Sequence, residues 1–404
     1  MIYDYIIIGA GFAGLMSYKK LKEKNPKNKI IILEKNNDIG GRMNTKMFYG
    51  VPVNIGAGIG RKHKDKLLIN LLNELKIKYE EGSFDIKYLC KKINIQDCVN
   101  RLLKNYNKQT CTQTNRNASE DVTLFSGAQS KENTFKEYGE SILGPKYYKE
   151  FVTNLGFSDF NNSDIHDVLY NYGLEDNFTN FKSIYIPWHE LIEKIRNDDT
   201  IFNQNVINIT FNKTFYTLTC QNNIEILAKK IVIASTIDTI KKLLPKEEIY
   251  KQIHGQPFLR VYGKFNKESN LVIKDIVNKY TIVDSPLQKI IPINLEKGIY
   301  MIAYCDNKNA KKFKHNTLNN NSNREVFAKE VMKALNIKSE LKLIGIRCYY
   351  WNIGTHYNSP LKDYKNRDEF LEKARHPQEN IYVVGEVVSQ NQGWTNMILE
   401  EFDF

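Results

Sequence analysis

The stretch Gly9-Ala10-Gly11-Phe12-Ala13-Gly14 follows directly on the apolar strand pattern Tyr5–Ile8 and leads into a helical pattern. Glycines spaced as GxGxxG between a strand and a helix predict a dinucleotide-binding βαβ unit. Gly9 permits the tight turn, Gly11 lets the backbone approach a pyrophosphate, and Gly14 lets the helix lie close to the strand. The start of the helix adds unpaired N–H groups and a positive dipole end, which favour phosphate.

A second strand pattern, Lys29–Leu33, ends in Glu34, which is 34 − 14 = 20 residues after the last glycine of the turn. A carboxylate at this place accepts hydrogen bonds from the ribose hydroxyls of an adenosine and repels a 2′-phosphate, which disfavours NADP. Glu34 and its neighbour Lys35 therefore join the candidate cofactor site. The alternative is a glycine-rich turn in an ordinary α/β protein, but the order of strand, turn, helix, strand and acid favours a dinucleotide.

The composition narrows the remaining classes of function. Lys and Arg number 58 against 46 Asp and Glu in 404 residues, and a net charge of +12 attracts polyanions. The lysines are scattered without a basic stripe, so nucleic-acid binding is disfavoured. The six cysteines form no CxxC pair, and we expect no metal centre. No apolar run reaches the length of about 18 residues that a membrane span needs, and Ile6–Ile8 fits a strand better than a signal peptide; we expect a cytoplasmic protein.

The remaining patterns predict how the chain is divided. Strand patterns occur over residues 206–234, 258–265, 290–293, 300–304, 341–350 and 380–384, and helical patterns over residues 66–78, 135–200 and 324–336. We predict an α/β fold in which a Rossmann-like domain is interleaved with an α+β substrate domain whose mixed sheet is flanked by helices. The first domain takes residues 1–75, 200–245 and 375–404, and the second takes 76–199 and 246–374, with a flexible polar loop at about 105–135.

The segment Asp38-Ile39-Gly40-Gly41-Arg42-Met43-Asn44-Thr45 resembles the second glycine motif of the flavin-containing amine oxidases, of the monoamine and polyamine oxidase type. In that family the paired glycines pass close to FAD, and Arg42 would reach phosphate or ribose oxygens; Asp38 stands where the family has Arg. Val53-Asn54-Ile55-Gly56-Ala57-Gly58 resembles the next motif, whose small residues lie against the isoalloxazine ring. Arg61 either faces the flavin or is a surface charge at the start of a helix.

Later segments extend the resemblance. Val383-Val384-Gly385-Glu386 is similar to the family's late FAD motif, which implies that Glu386 binds a ribityl hydroxyl or a water. Gln392-Gly393-Trp394-Thr395-Asn396 resembles the start of a helix whose N–H groups face the flavin N1/O2 edge. Val206 matches a strand that contacts adenine through its backbone. The resemblance implies non-covalent FAD and a fold of the amine oxidase and glutathione reductase type, since the family's flavin-linking cysteine has no counterpart and His356 lies near its place.

The resemblance also implies residues for the reaction. Tyr357 and Trp394 match the paired aromatic walls that orient the amine over the flavin; the alternative is that both are ordinary core aromatics. Arg260 stands where the family has a lysine near flavin N5, and Lys264 lies on the same face of the strand. Arg260 remains charged and cannot act as a base, but it could bind a substrate carboxylate or stabilise anionic flavin; a surface charge is the alternative.

Three functions remain open from the sequence. The first is an FAD-dependent oxidase that converts a small primary or secondary amine to an imine by hydride transfer to flavin N5, with O2 reduced to H2O2. The second is another flavin oxidoreductase on this fold, such as an amino-acid oxidase or a desaturase, and the third is a non-catalytic FAD-fold protein. The chain also resembles amine-oxidase-like proteins of large DNA viruses, and the sequence leaves the oligomeric state open.

Overall fold

The computed structural model describes residues 1–114 and 133–390 together with Leu399. Its strands are, in chain order, β1 Ile2–Ile8, β2 Ile30–Leu33, β3 Thr45–Phe48, β4 Val51–Asn54, β5 Gly60–Arg61, β6 Glu80–Ser83, β7 Ile86–Leu89, β8 Lys182–Tyr185, β9 Thr200–Ile201, β10 Val206–Phe211, β11 Tyr216–Cys220, β12 Glu225–Ile233, β13 Ile253–Phe265, β14 Tyr280–Val283, β15 Lys289–Asn294, β16 Ile299–Asp306, β17 Leu343–Asn358 and β18 Ile381–Val383. Its α-helices are α1 Phe12–Lys24, α2 Lys66–Glu74, α3 Ile95–Thr114, α4 Phe135–Leu143, α5 Pro145–Leu155, α6 Trp188–Lys194, α7 Ile237–Leu243, α8 Lys267–Ile273, α9 Asn307–Lys312, α10 Asn321–Leu335 and α11 Arg367–Arg375.

The first sheet gathers strands from the beginning, the middle and the end of the chain. Its order is β10-β11-β12-β1-β2-β9, and β18 pairs with the last residues of β12. β1 lies parallel to β2 and to β12, whereas β10, β11 and β12 form an antiparallel meander. β2 is buried along its whole length, as expected for a parallel strand covered on both faces. The carboxyl ends of β1, β2 and β18 therefore meet at one edge of this sheet.

The second sheet has the order β17-β13-β16-β15-β14-β7 and is antiparallel apart from the parallel pair of β14 with β7. The side chains of Leu259 and Val261 face an apolar core that also contains Phe327 and Val331 of α10. Tyr262 belongs to a smaller core formed with the β3–β4 hairpin. Successive side chains of β13 thus pack into two different layers, and that of Tyr262 packs against the separate β3–β4 hairpin.

The predicted loop at 105–135 is wrong in its first part, because α3 continues to Thr114. Cys98 and Leu102 are buried and Tyr106 packs beside them in the core shared with α4 and α5, so a stripe at i, i+4 and i+8 holds the helix despite its polar composition. α4 begins at Phe135, where Thr134 and Glu137 form a capping box. Residues 115–132 lie outside the described residues.

Most of the other predicted elements are confirmed in type, with shifts at their ends. The strand predicted over 341–350 ends at Asn358 and so carries residues of the candidate site within it. Within the described ranges, no helix combines the length and the apolar character that crossing a bilayer requires. The predicted domain limits stay a prediction.

Candidate cofactor and active site

The glycine turn after β1 leaves space only at its middle glycine. Gly9 has φ +105°, and a side chain there would lie 2.5 Å from the carbonyl oxygen of Ala234. A side chain at Gly14 would lie 1.9 Å from the carbonyl oxygen of Gly9. At Gly11, by contrast, a Cβ atom would meet nothing within 4 Å. Gly9 and Gly14 are thus required by internal packing, whereas Gly11 borders the open space of a groove.

The start of α1 supplies the donors that this groove offers. Gly11 is the N-cap residue and provides no side-chain capping bond. The backbone N–H groups of the first helical residues, Phe12, Ala13 and Gly14, have no partner within the helix, because the first turn of any helix lacks them. With the positive end of the helix dipole, they suit a phosphate group.

Glu34 lies beside the turn at the end of β2 and is 8% exposed. Its Oε2 atom accepts a hydrogen bond from the Ala10 backbone N–H at 2.8 Å. Its Oε1 atom accepts from the backbone and the side chain of Asn36, each at 2.9 Å. A carboxylate has about four acceptor positions, so one position on Oε2 is left after the donors of the described residues.

Two further segments close on the glycine turn. The Gly40 N–H donates to the Ala10 carbonyl at 2.8 Å, and a side chain at Gly41 would lie 3.4 Å from Gly11 Cα. From the other end of the chain, a side chain at Gly385 would lie 3.1 Å from Ala13 Cβ. The first and last motifs of the sequence, which are more than 300 residues apart, therefore meet at one place.

A hydrogen-bonded network joins these segments behind the groove. Arg42 Nη1 donates to the Gly354 carbonyl at 2.8 Å and to Glu386 Oε2 at 3.0 Å. Glu386 also accepts from the His356 N–H at 2.8 Å and contacts His356 Nδ1 at 2.5 Å. Burial raises the pKa of Glu386, but His356 and Arg42 outweigh it and hold this pKa well below its usual value. Glu386 is thus a buried, ionised acid.

The segment Asn54–Gly58 lies beside the network and is anchored from several elements. A side chain at Gly56 would lie 2.1 Å from the Arg42 carbonyl oxygen, and the Ala57 N–H donates to that oxygen at 2.9 Å. The Tyr262 hydroxyl donates to the Asn54 carbonyl at 2.6 Å. Trp351 Nε1 donates to the Ile55 carbonyl at 2.8 Å and Trp188 Nε1 to the Gly58 carbonyl at 3.1 Å. These three aromatic anchors were missed from the sequence, although Tyr262 lies one strand repeat from Arg260.

Arg260 lies against this segment and is 4% exposed. Its guanidinium is 4.3 Å from the centre of the Tyr304 ring, and its Nη1 atom is 3.5 Å from the Asn54 carbonyl oxygen. Burial lowers the pKa of Arg260, but Tyr304 and Tyr262 more than offset this, so the pKa lies above its ordinary value. The alternative of a surface charge is therefore wrong.

Tyr357 is half-buried and stacks on His254, with ring centres 5.1 Å apart and planes at 22°. It lines a cavity of about 30 Å³ together with Asp159, Tyr172, Gln256 and other polar side chains. Tyr172 donates to Asp159 at 2.6 Å, and burial raises the pKa of Asp159 to about 7. Tyr357 therefore borders a polar recess. Trp394, Thr395 and Asn396 lie outside the described residues.

Two predicted site residues have other partners. Arg61 is 6% exposed, and its Nη2 and Nη1 atoms lie 2.6 Å from carboxylate oxygens of Asp65 and Asp176. The alternative of a surface charge is therefore wrong, and the contact with the flavin stays a prediction. Lys264 donates to the Lys297 carbonyl at the β15–β16 turn. Four residues along a strand span about 13 Å, so Lys264 lies far from Arg260 although both share a face.

Lys35 and Val206 are the remaining cofactor candidates among the described residues. Lys35 is exposed next to Glu34. Val206 is buried at the start of β10, and the Gln204 N–H donates to the Glu34 carbonyl at 2.9 Å. The segment that precedes Val206 therefore lies beside the acid expected to bind the ribose, where an adenine contact would be made.

Comparisons with known proteins identify the family and the fold. The family model of flavin containing amine oxidoreductases matches residues 12–269. Among solved structures, a cofactor-binding redesign of putrescine oxidase carrying two mutations has a TM-score of 0.74 at 14% identity, covering 99% of this chain and 97% of that one. Wild-type putrescine oxidase bound to putrescine has a TM-score of 0.72 at 13% identity, covering 99% and 97%. These likenesses confirm the predicted α/β fold of the FAD-binding amine oxidase type.

A curated relative matches a shorter region. The mitochondrial L-2-hydroxyglutarate dehydrogenase of Dictyostelium discoideum is 36% identical over 86 residues, which is 20% of this chain and 19% of that protein. The match thus spans about a fifth of the length of that relative. The resemblance to viral proteins stays a prediction.

Proposed function

The chain belongs to the flavin-containing amine oxidoreductase family, whose model matches more than half of its length, and from this we propose that it is an FAD-dependent oxidase of a small-molecule amine. The observation that supports this most directly is the open space at Gly11, between a helix start and a buried acid. Gly9 and Gly14 are fixed by internal packing, whereas no described atom lies within 4 Å of the place where a Gly11 side chain would stand. A diphosphate that touches the backbone there would explain it.

The groove fits an extended dinucleotide at both of its ends. Glu34 retains one acceptor position toward a ribose, and the donors of Phe12 and Ala13 face the place of the diphosphate. We propose that Gly385 and Glu386 lie over the diphosphate and ribityl chain, since Gly385 touches Ala13. We propose that Gly56, Ala57 and Gly58 lie against the flavin ring, because the hydrogen bond from the Ala57 N–H to the Arg42 carbonyl joins this segment to the network around Glu386.

Non-covalent attachment is part of the proposal. His356 is the histidine closest to the place where the family links its flavin. Its Nε2 atom accepts a hydrogen bond from the Ile237 N–H at 3.2 Å, and its Nδ1 atom contacts Glu386 Oε2. Both ring nitrogens are thus engaged within the protein, which leaves neither as a nucleophile toward the flavin.

For the reaction, FAD would supply a two-electron oxidant when bound, so that the amine would lose a hydride from the carbon beside nitrogen and a proton from nitrogen to become an imine, and O2 would take up the two electrons and two protons as H2O2. The residues of the chain have the simpler task of orientation. Tyr357, held by its stack on His254, would form one rigid wall for the amine, and Trp394 would form the other. Burial of Arg260 and Tyr262 keeps the ring side of Asn54–Gly58 free of bulk water.

The test is spectroscopic. The purified protein is titrated with FAD, and bound flavin is quantified after gel filtration from its visible absorbance. Anaerobic addition of candidate amines should bleach the oxidised flavin band for at least one of them, and admission of O2 should restore it with release of one equivalent of H2O2. A protein that takes up no FAD contradicts the proposal, and one that binds FAD but is bleached by no amine restricts it to cofactor binding.

A further inference from the structure

Arg260 has no counter-charge in the part of the chain that the structure describes. The groups that set its pKa are its own burial and the two hydroxyls of Tyr304 and Tyr262, with no carboxylate among them. Its hydrogen bond to the Asn54 carbonyl is long, at 3.5 Å. A buried guanidinium normally pairs with an acid, because removing it from water is costly unless the charge is compensated. The contact with the Tyr304 ring compensates only in part.

Two buried acids that interact with Lys289, Asp306 and Asp159, have hydrogen-bond donors of their own. Asp306 accepts from the Ser158 N–H at 2.7 Å, from the Ser158 hydroxyl at 2.5 Å and from Gln288 at 3.0 Å. Asp159 accepts from Tyr172. Lys289 is fully buried, and its Nζ atom lies 4.4 Å from the centre of the Tyr304 ring, which also contacts Arg260. The surroundings of Arg260 therefore carry a second basic group rather than an acid turned toward it.

The position of Arg260 determines which anion could reach it. A side chain at Gly58 would lie 3.3 Å from Arg260 Nη2, so the guanidinium borders the segment that we place against the flavin ring. Along the same face of β13 follow Phe258 and then Gln256, which lines the cavity at Tyr357. Gln256 is 3% exposed, and its Oε1 atom has no hydrogen-bond partner among the described residues. One face of β13 thus presents the guanidinium of Arg260 at one end and, about four residues away, the Oε1 atom of Gln256 beside the recess.

From this arrangement we infer that the amine substrate carries a carboxylate and that Arg260 binds it, so that the enzyme oxidises amino acids or N-alkyl amino acids in preference to plain amines. The inference rests on the proposed function. The planar guanidinium matches a carboxylate in two parallel hydrogen bonds. Arg260 is in this role a substrate-binding residue that selects the class of amine.

The experiment compares substrates that differ only by the carboxylate, with the FAD-loaded protein. The pairs are ornithine with putrescine, lysine with cadaverine, and phenylalanine with phenethylamine, each assayed for H2O2 release. The variant is Arg260→Met, and the matched control is Arg347→Met, an exposed arginine of β17 in register with Tyr262. We expect the carboxylated member of at least one pair to have the higher kcat/KM. Arg260→Met should lower that value about 100-fold, mainly through KM, and should lower the value for the plain amine by a smaller factor.

Binding of a carboxylate that cannot be oxidised separates this inference from the proposed function. Benzoate and its uncharged analogue benzamide are titrated calorimetrically into the FAD-loaded protein. We expect benzoate to bind the wild type and the control alike, and at least about 10-fold more weakly to Arg260→Met or to Arg260→Gln, the second variant serving if the first does not fold. Equal binding of benzoate by wild type and variants, or equal losses for both members of each substrate pair, would overturn the inference while leaving amine oxidation intact. Failure to load FAD would overturn the proposed function itself.

Discussion

A side chain at Gly11 separates the demands of folding from those of cofactor binding. The backbone of Gly11, with φ −71° and ψ 174°, is extended and open to any residue, and a Cβ atom there meets no protein atom within 4 Å. Gly11→Ala should therefore change the free energy of unfolding by less than about 1 kcal/mol, because a poorer N-cap is offset by a less flexible unfolded chain. The same methyl group would occupy the space that we assign to the diphosphate.

We expect Gly11→Ala to weaken FAD binding at least about 10-fold, which corresponds to about 1.4 kcal/mol. Gly14→Ala is the matched comparison, because its methyl group would lie 1.9 Å from the Gly9 carbonyl oxygen and must displace α1 from β1. That variant should lose about 2 kcal/mol or more of folding stability, as overpacked sites do, even without cofactor.

The measurements are urea unfolding of the FAD-free proteins and titration of each with FAD, followed by flavin fluorescence. A Gly11→Ala protein that is as stable as the wild type and binds FAD with unchanged affinity would refute the placement of the diphosphate over this turn. A large loss of stability in Gly11→Ala would refute the assignment of open space.

Three further predictions concern buried ionisable groups. Glu34→Gln should raise the Kd for FAD about 10-fold, because a charge-assisted hydrogen bond to the ribose is lost; an unchanged Kd in the same titration would contradict the contact. Glu386 has a lowered folded pKa, so its contribution to stability is complete above the ordinary glutamate pKa of about 4.3 and is lost on acidification below it; urea unfolding from pH 7 to 3 should show a smaller acid-induced loss in Glu386→Gln. The pKa of Lys289 is lowered by burial to about 7, so the unfolded chain binds more protons than the folded protein above that pH, and stability rises with pH. Between pH 7.5 and 9 this rise should exceed that of Lys289→Met by up to about 2 kcal/mol. Parallel stability curves for the two proteins would contradict the prediction.

The sequence was most informative where the constraint is local. The turn Gly9–Gly14 and the acid at Glu34 are separated by one helix and one strand, so their spacing determines their geometry almost unaided. The structure places them as expected, with Glu34 bonded to the turn at Ala10. The even steps along β13 likewise predicted correctly that Arg260 and Lys264 share a face, but a shared face does not imply a shared site.

The errors arose where partners are distant in sequence. Arg61 pairs with Asp176, 115 residues away, and no local sequence pattern predicts that contact. The polar residues after 105 favoured a loop on composition, whereas packing of Tyr106 against a core made by later helices continues α3. The anchors Tyr262 and Trp351 act on the carbonyls of Asn54 and Ile55, and only the assembled sheets bring them there.

The two buried glutamates, Glu34 and Glu386, are held in the same way. Glu34 takes three hydrogen bonds from Ala10 and Asn36, and Glu386 takes three from His356 and Arg42. Each carboxylate thereby has about one of its four acceptor positions left and is held in one orientation before any ligand arrives. Because both residues lie within their own network, a hydroxyl that bonds to either meets an acceptor that needs no reorientation. This arrangement supports the proposal that the ligand has hydroxyl groups at two separate places and negative charge between them, which is the pattern of ribose, diphosphate and ribityl chain.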